Sequence, residues 1–97
     1  MKYVVRYETD PAGMARVMEL FPAHQALWKG FLDAGTLLMI GPMADPLQGA
    51  LAVFATRESA EAFVAVDPFV TEGLVSRWEI LEWNEVLVPE APAATTS

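Results

Sequence analysis

The sequence predicts an α+β domain in which a single antiparallel sheet carries two helices on one face. Three observations lead there. Both ends of the 97-residue chain hold segments with the two-residue period of a strand, two short apolar runs lie in the middle, and the stretches between them repeat apolar residues at helical spacing. The resulting order is β-α-β-β-α-β.

Residues 2 to 8 alternate, with Tyr3, Val5 and Tyr7 on one face and Lys2, Val4, Arg6 and Glu8 on the other, so the chain opens with a strand. Asp10-Pro11 then supplies an N-cap with proline in the first turn, and Met14, Val17, Met18 and Phe21 keep helical spacing up to Pro22. Because proline removes the amide that would bond the carbonyl four residues back, a kink is expected there, or a restart with Pro22 as the first residue of a second segment. That segment runs to about Ala34, and Gly35 stops it. Residues 36–43 and 50–55 are apolar at both parities and read as strands, joined by the turn formers of residues 44–49. Arg57-Glu58-Ser59-Ala60-Glu61 begins a second helix, with Ala60, Phe63 and Val64 inward, which ends before Asp67-Pro68. A short helical turn to Gly73 follows, and residues 75–83 form the last strand, with Trp78 and Ile80 on one face and Leu81 and Trp83 on the other. From Pro89 the chain is small, polar and proline-rich, so residues 1–88 are expected to be the domain and residues 89–97 a disordered tail.

This order is that of a split βαβ, or ferredoxin-like, sandwich. Two helices cover only one face of its sheet, yet both middle strands are apolar on both faces, where a solvated face should alternate cleanly. A second copy of the chain is the simplest cover, and a homodimer through the sheet face is expected.

Composition removes several function classes. With 13 Asp+Glu against 6 Lys+Arg the net charge is −7, and the bases are scattered, which argues against nucleic acid as a partner. Without cysteine there is no thiolate or zinc knuckle, and one histidine supplies no multi-histidine metal site, so neither metal nor cofactor is expected. No apolar run approaches membrane-spanning length, and charges interrupt the first apolar run, so a membrane is not an expected partner and the expected location is cytoplasmic.

His24 is the candidate for chemistry, because its helical neighbours Leu20, Phe21, Leu27 and Trp28 place it on the buried stripe. A buried imidazole needs a partner, either a backbone carbonyl in a purely structural role or a carboxylate that makes it a general acid or base. Asp67 before Pro68 fits the N-cap of the following turn, and its second oxygen leaves room to fix a histidine tautomer. With both helices on one sheet face, His24 and Asp67 are expected close together at one end of the sheet. Gly41-Pro42 ends the second strand, where glycine permits a close backbone approach and proline stops the ladder, and Asp45 before Pro46 has the character of a turn former.

Taken together, Lys2-Tyr3-Val4-Val5, Phe21-Pro22-Ala23-His24, Gly35-Thr36-Leu37-Leu38-Met39-Ile40-Gly41-Pro42, Gly49-Ala50-Leu51-Ala52-Val53-Phe54 and Asp67-Pro68-Phe69 resemble the YciI-like (YCII-related) family over residues 1 to about 88. The resemblance implies a dimeric α+β barrel of ferredoxin-like subunits, each with a pocket holding a His and Asp pair proposed to be catalytic. Here the pair maps onto His24 and Asp67, while Gly41, Pro42 and Asp45 match the family's Gly-Pro and acidic hairpin position and become the candidate substrate-binding residues. The few members with an associated reaction resemble lyases or isomerases of small aromatic breakdown products. Two functions follow as expectations: a cofactor-independent enzyme that moves protons on a small organic, aromatic-derived molecule, or a non-catalytic dimeric module that binds a small ligand or serves as an accessory domain. A solvent-connected cavity at the imidazole favours the first, and a fully packed imidazole the second.

Overall fold

The computed structural model describes residues 1–86, so the tail expected from Pro89 lies outside the described residues. The chain forms β1 (Lys2–Thr9), a 3-10 segment (Pro11–Arg16), α1 (Val17–Asp33), β2 (Leu37–Pro42), a 3-10 turn (Pro46–Gln48), β3 (Ala50–Phe54), α2 (Arg57–Val66), α3 (Pro68–Thr71) and β4 (Val75–Trp83). All pairs are antiparallel and the strand order is β2-β3-β1-β4, so the first and last strands are neighbours and the hairpin β2–β3 flanks β1. This is the ferredoxin-like arrangement that the element order predicts.

Register decides which side chains meet the helices. Pairing of Tyr3 with Phe54, Val5 with Ala52 and Tyr7 with Ala50 puts these residues on one face, where Val5, Ala52 and Phe54 join Leu37 and the α2 residues Ala60, Phe63 and Val64 in the core. Phe31 from α1 meets Phe54 and Phe63 edge-to-face, with ring centroids 6.1 and 5.4 Å away. These aromatic contacts join both helices to the sheet and hold α1 beside α2, which fixes where His24 and the end of α2 lie.

Helix α1 departs from expectation at its start. Asp10 caps as predicted, its side chain accepting from the Ala12 amide, but the first stretch winds as a 3-10 helix and the α-helix begins at Val17. Pro22 lies inside that helix and starts no segment. Two long-range contacts govern the entry: the Asp10 amide donates to the Leu74 carbonyl at 2.9 Å, and a Cβ on Gly13 would stand 2.8 Å from Leu74 Cα. The chain is thus held against the start of β4 before it can relax into the wider helix. The carbonyl that Pro22 leaves without its helical amide belongs to Met18, a residue 81% exposed, so it lies on the solvent side of the helix.

The opposite sheet face is uncovered. It carries Val4, Met39, Leu51, Val53, Leu81 and Trp83, with Met39 62% and Trp83 48% exposed, around an ion pair between Arg6 and Glu79. Beyond β4, Glu85 ties the chain back to β1: hydrogen bonds from Lys2 and from the Met1 amino group hold its carboxyl down at about 2.

Candidate functional site

His24 and Asp67, 43 residues apart in sequence, meet through His24 Nδ1 and Asp67 Oδ1 at 2.7 Å. Each is delivered by local chemistry. Helical spacing turns His24 toward the sheet from α1, and it is 7% exposed. Asp67 precedes Pro68, which excludes helical backbone at that position, and the residue adopts φ −65° and ψ 121°. It therefore ends α2 and begins α3, with Oδ1 also accepting from the Phe69 amide at 3.1 Å. Capping and contact with histidine coexist on one carboxylate.

Asp67 is fully buried and has a third partner, which sequence reading passed over. The Tyr7 hydroxyl donates to Oδ2 at 2.6 Å. Burial first, and the neighbouring Asp67 charge second, push the Tyr7 phenol far above its ordinary range, so it remains a donor. The strand parity of Tyr3, Val5 and Tyr7 places Tyr7 inward, and a buried phenol requires a partner; those two facts were the available signal. Gly49 holds Tyr7 from behind. With φ 108°, it lies so close that an added Cβ would stand 1.9 Å from the Tyr7 carbonyl oxygen.

Around the imidazole, Phe69 stacks at 3.9 Å between ring centroids, while Phe63 and Phe21 approach at 6.2 and 6.1 Å. Nδ1 is thereby fixed by Asp67 and the ring plane by Phe69. Among the described residues Nε2 has no hydrogen-bond partner, and no buried side-chain nitrogen or oxygen lacks one, so Nε2 occupies the accessible part of the ring. His24 lines a cavity of about 390 Å³, the volume of a small-molecule site. The rest of the wall is largely apolar, with Trp28, Phe21, Ile40 and Phe69, and among the described residues the titratable side chains lining the cavity are Tyr7 and His24.

The other sequence candidates separate. Gly41 and Pro42 line the cavity, although a Cβ on Gly41 would meet nothing within 4 Å, so the close approach expected of that glycine is absent. Gly49 makes it instead. Asp45 is exposed and does not line the cavity; its carboxylate accepts from the Leu47 amide at 3.1 Å and caps the turn that brings Pro46 to the cavity wall. Among the described residues no three His, Asp or Glu side chains converge as a metal site would require, and no helix is long and apolar enough to cross a membrane.

The YCII-related domain matches residues 1–84. Among curated proteins none matches. Among solved structures, the chain is similar to 5-chloro-2-hydroxyhydroquinone dehydrochlorinase (TftG) from Burkholderia phenoliruptrix in complex with 2,5-dihydroxybenzoquinone. The two are 18% identical, the match covers 87% of this chain and 94% of that one, and the TM-score is 0.71. At this identity the likeness is one of fold.

Proposed function

The chain belongs to the YCII-related domain family, and on that premise we propose that it is a small cofactor-independent enzyme whose His24–Asp67 pair transfers protons on an aromatic-derived substrate. One observation carries the reading: His24 lines a cavity while its Nδ1 is held by a buried carboxylate and its Nε2 has no partner among the described residues. Asp67 keeps the proton on Nδ1, leaving the Nε2 lone pair to accept a proton from a substrate O–H or C–H group. The imidazolium, stabilised by Asp67, then returns the proton to another substrate atom in an isomerisation or to the departing group in an elimination. Gly41 and Pro42 contribute cavity wall beside the ring. The planar quinone bound by the similar dehydrochlorinase supports a flat ring as the occupant.

The test is incubation in D2O with 5-chloro-2-hydroxyhydroquinone and with unchlorinated phenols, followed by NMR of the ring protons and measurement of chloride release. Saturable deuterium uptake or chloride release is expected. Because no Lys or Arg lines the cavity, benzoates are expected to bind more weakly than the corresponding phenols. Tight binding with no exchange and no elimination would instead identify a ligand-binding module.

We further infer that the uncovered sheet face is closed by a second copy of the chain. Its exposed Met39, Leu51, Leu81 and Trp83 form one apolar surface, and a dimer of standard size buries about 1,600 Å² in total. Sedimentation at micromolar concentration should give twice the 10.6 kDa of one chain, and Leu81→Arg should halve it. A monomeric parent chain would refute the inference.

A further inference from the structure

Beside His24 and the Phe69 amide, the Asp67 carboxylate has a third attachment, the hydroxyl of the core residue Tyr7. Phe69's amide is satisfied because Asp67 caps α3, and His24 is satisfied because it faces Oδ1. The Tyr7 hydroxyl alone engages Oδ2, from a strand 60 residues away, and it does so from the wall of the cavity. We propose that Tyr7 is a positioning residue of the site: its hydroxyl holds Oδ2 and so orients the carboxylate with Oδ1 toward both His24 Nδ1 and the Phe69 amide.

The sign of its effect follows from counting charge. With the imidazole neutral, the pair carries one negative charge; after proton uptake it carries none, wherever the proton resides. A hydrogen-bond donor on Asp67 stabilises the charged form more than the neutral one. Removing it must therefore let the pair take up a proton at higher pH. No other group competes for this role among the described residues. β1 contributes Tyr7 and the α2–α3 junction contributes Asp67, whereas the cavity-lining residues of β2, β3 and the 3-10 turn are not titratable. On α1 itself, Glu19 is exposed and bonded to Arg16. The proposal rests on the acid–base reading of His24 for its functional meaning, but its measurement does not.

Because His24 is the only histidine, its ring resonances can be followed without assignment by mutation. In 15N-histidine-labelled full-length protein, Tyr7→Phe should raise the pH midpoint of the His24 titration by about half a pH unit or more while Nδ1 stays the protonated nitrogen. A second arm leaves the fold undisturbed. The chain has two tyrosines, so 3-fluorotyrosine incorporated into a Tyr3→Phe background labels Tyr7 alone, and its more acidic hydroxyl should lower the midpoint. If Tyr7→Phe does not fold, the fluorotyrosine arm decides. Midpoints that stay where they are in the folded variants would overturn the proposal and leave Tyr7 a structural tether. Shifted midpoints in a protein that turns over none of the phenols would uphold the positioning role while the enzymatic reading failed.

Discussion

Asp67→Ala should unfold at least about 12 °C below the parent chain, reflecting a loss of about 3–5 kcal/mol. The substitution strips the acceptor from three groups at once: the Tyr7 hydroxyl, the Phe69 amide and His24 Nδ1. All three surround a side chain that is 0% exposed, so water cannot replace the lost partner without opening the core. A domain of this size holds only about 5–15 kcal/mol in total, which makes the change a large share of its stability. Asp67→Asn is the informative companion. An amide has nearly the shape of a carboxylate and still accepts through its oxygen, so much of the fold should survive. Its oxygen stays where the Phe69 amide and His24 Nδ1 meet Oδ1, so its NH2 group faces the Tyr7 hydroxyl, and the imidazole loses the negative charge that stabilises its protonated form. Urea unfolding monitored by circular dichroism checks the first expectation; a loss below about 1 kcal/mol for the alanine variant would contradict it.

The second large effect is on turnover. His24→Ala should slow proton transfer by about 10²–10⁴-fold, the usual contribution of a positioned acid or base. The variant keeps two of Asp67's three partners, Tyr7 and the Phe69 amide, so the carboxylate remains capped and bonded. The space vacated beside Phe69 opens onto the cavity, which gives free imidazole a place to bind with its ring against the phenyl face. Added imidazole should therefore restore part of the lost rate in a saturable manner, as read by deuterium exchange at the substrate ring. An unaltered rate in His24→Ala would remove the histidine from the chemistry altogether.

Much of this was legible in sequence because it depends on local rules. The spacing of Leu20, Phe21, Leu27 and Trp28 around His24 locates its face of the helix, and Asp67-Pro68 announces a cap. Side-by-side helices over one sheet then bring the two residues together. What stayed hidden depends on contacts made across the chain. Strand parity turns Tyr7 inward but cannot say which buried oxygen it reaches, since that is set by where α2 ends. Likewise, α1 starts late, at Val17, after a stretch in which Leu74 contacts Asp10 and Gly13, a partner that lies far outside residues 10–22. Gly41 and Gly49 show the same division: both border the β2–β3 loop, yet only the latter lacks room for a side chain, because β1 passes behind it.

The double cap at Asp67 has a consequence for how such a chain ages in evolution. The carboxylate that ends α2 and starts α3 is the one that faces the histidine, so a mutation erasing it produces a protein that unfolds more readily as well as one with a misdirected imidazole. In a cell the first defect is met by proteases, which clear marginal chains whether or not any substrate is present. Any selection for abundance therefore acts on the same two oxygen atoms that meet His24 and Tyr7.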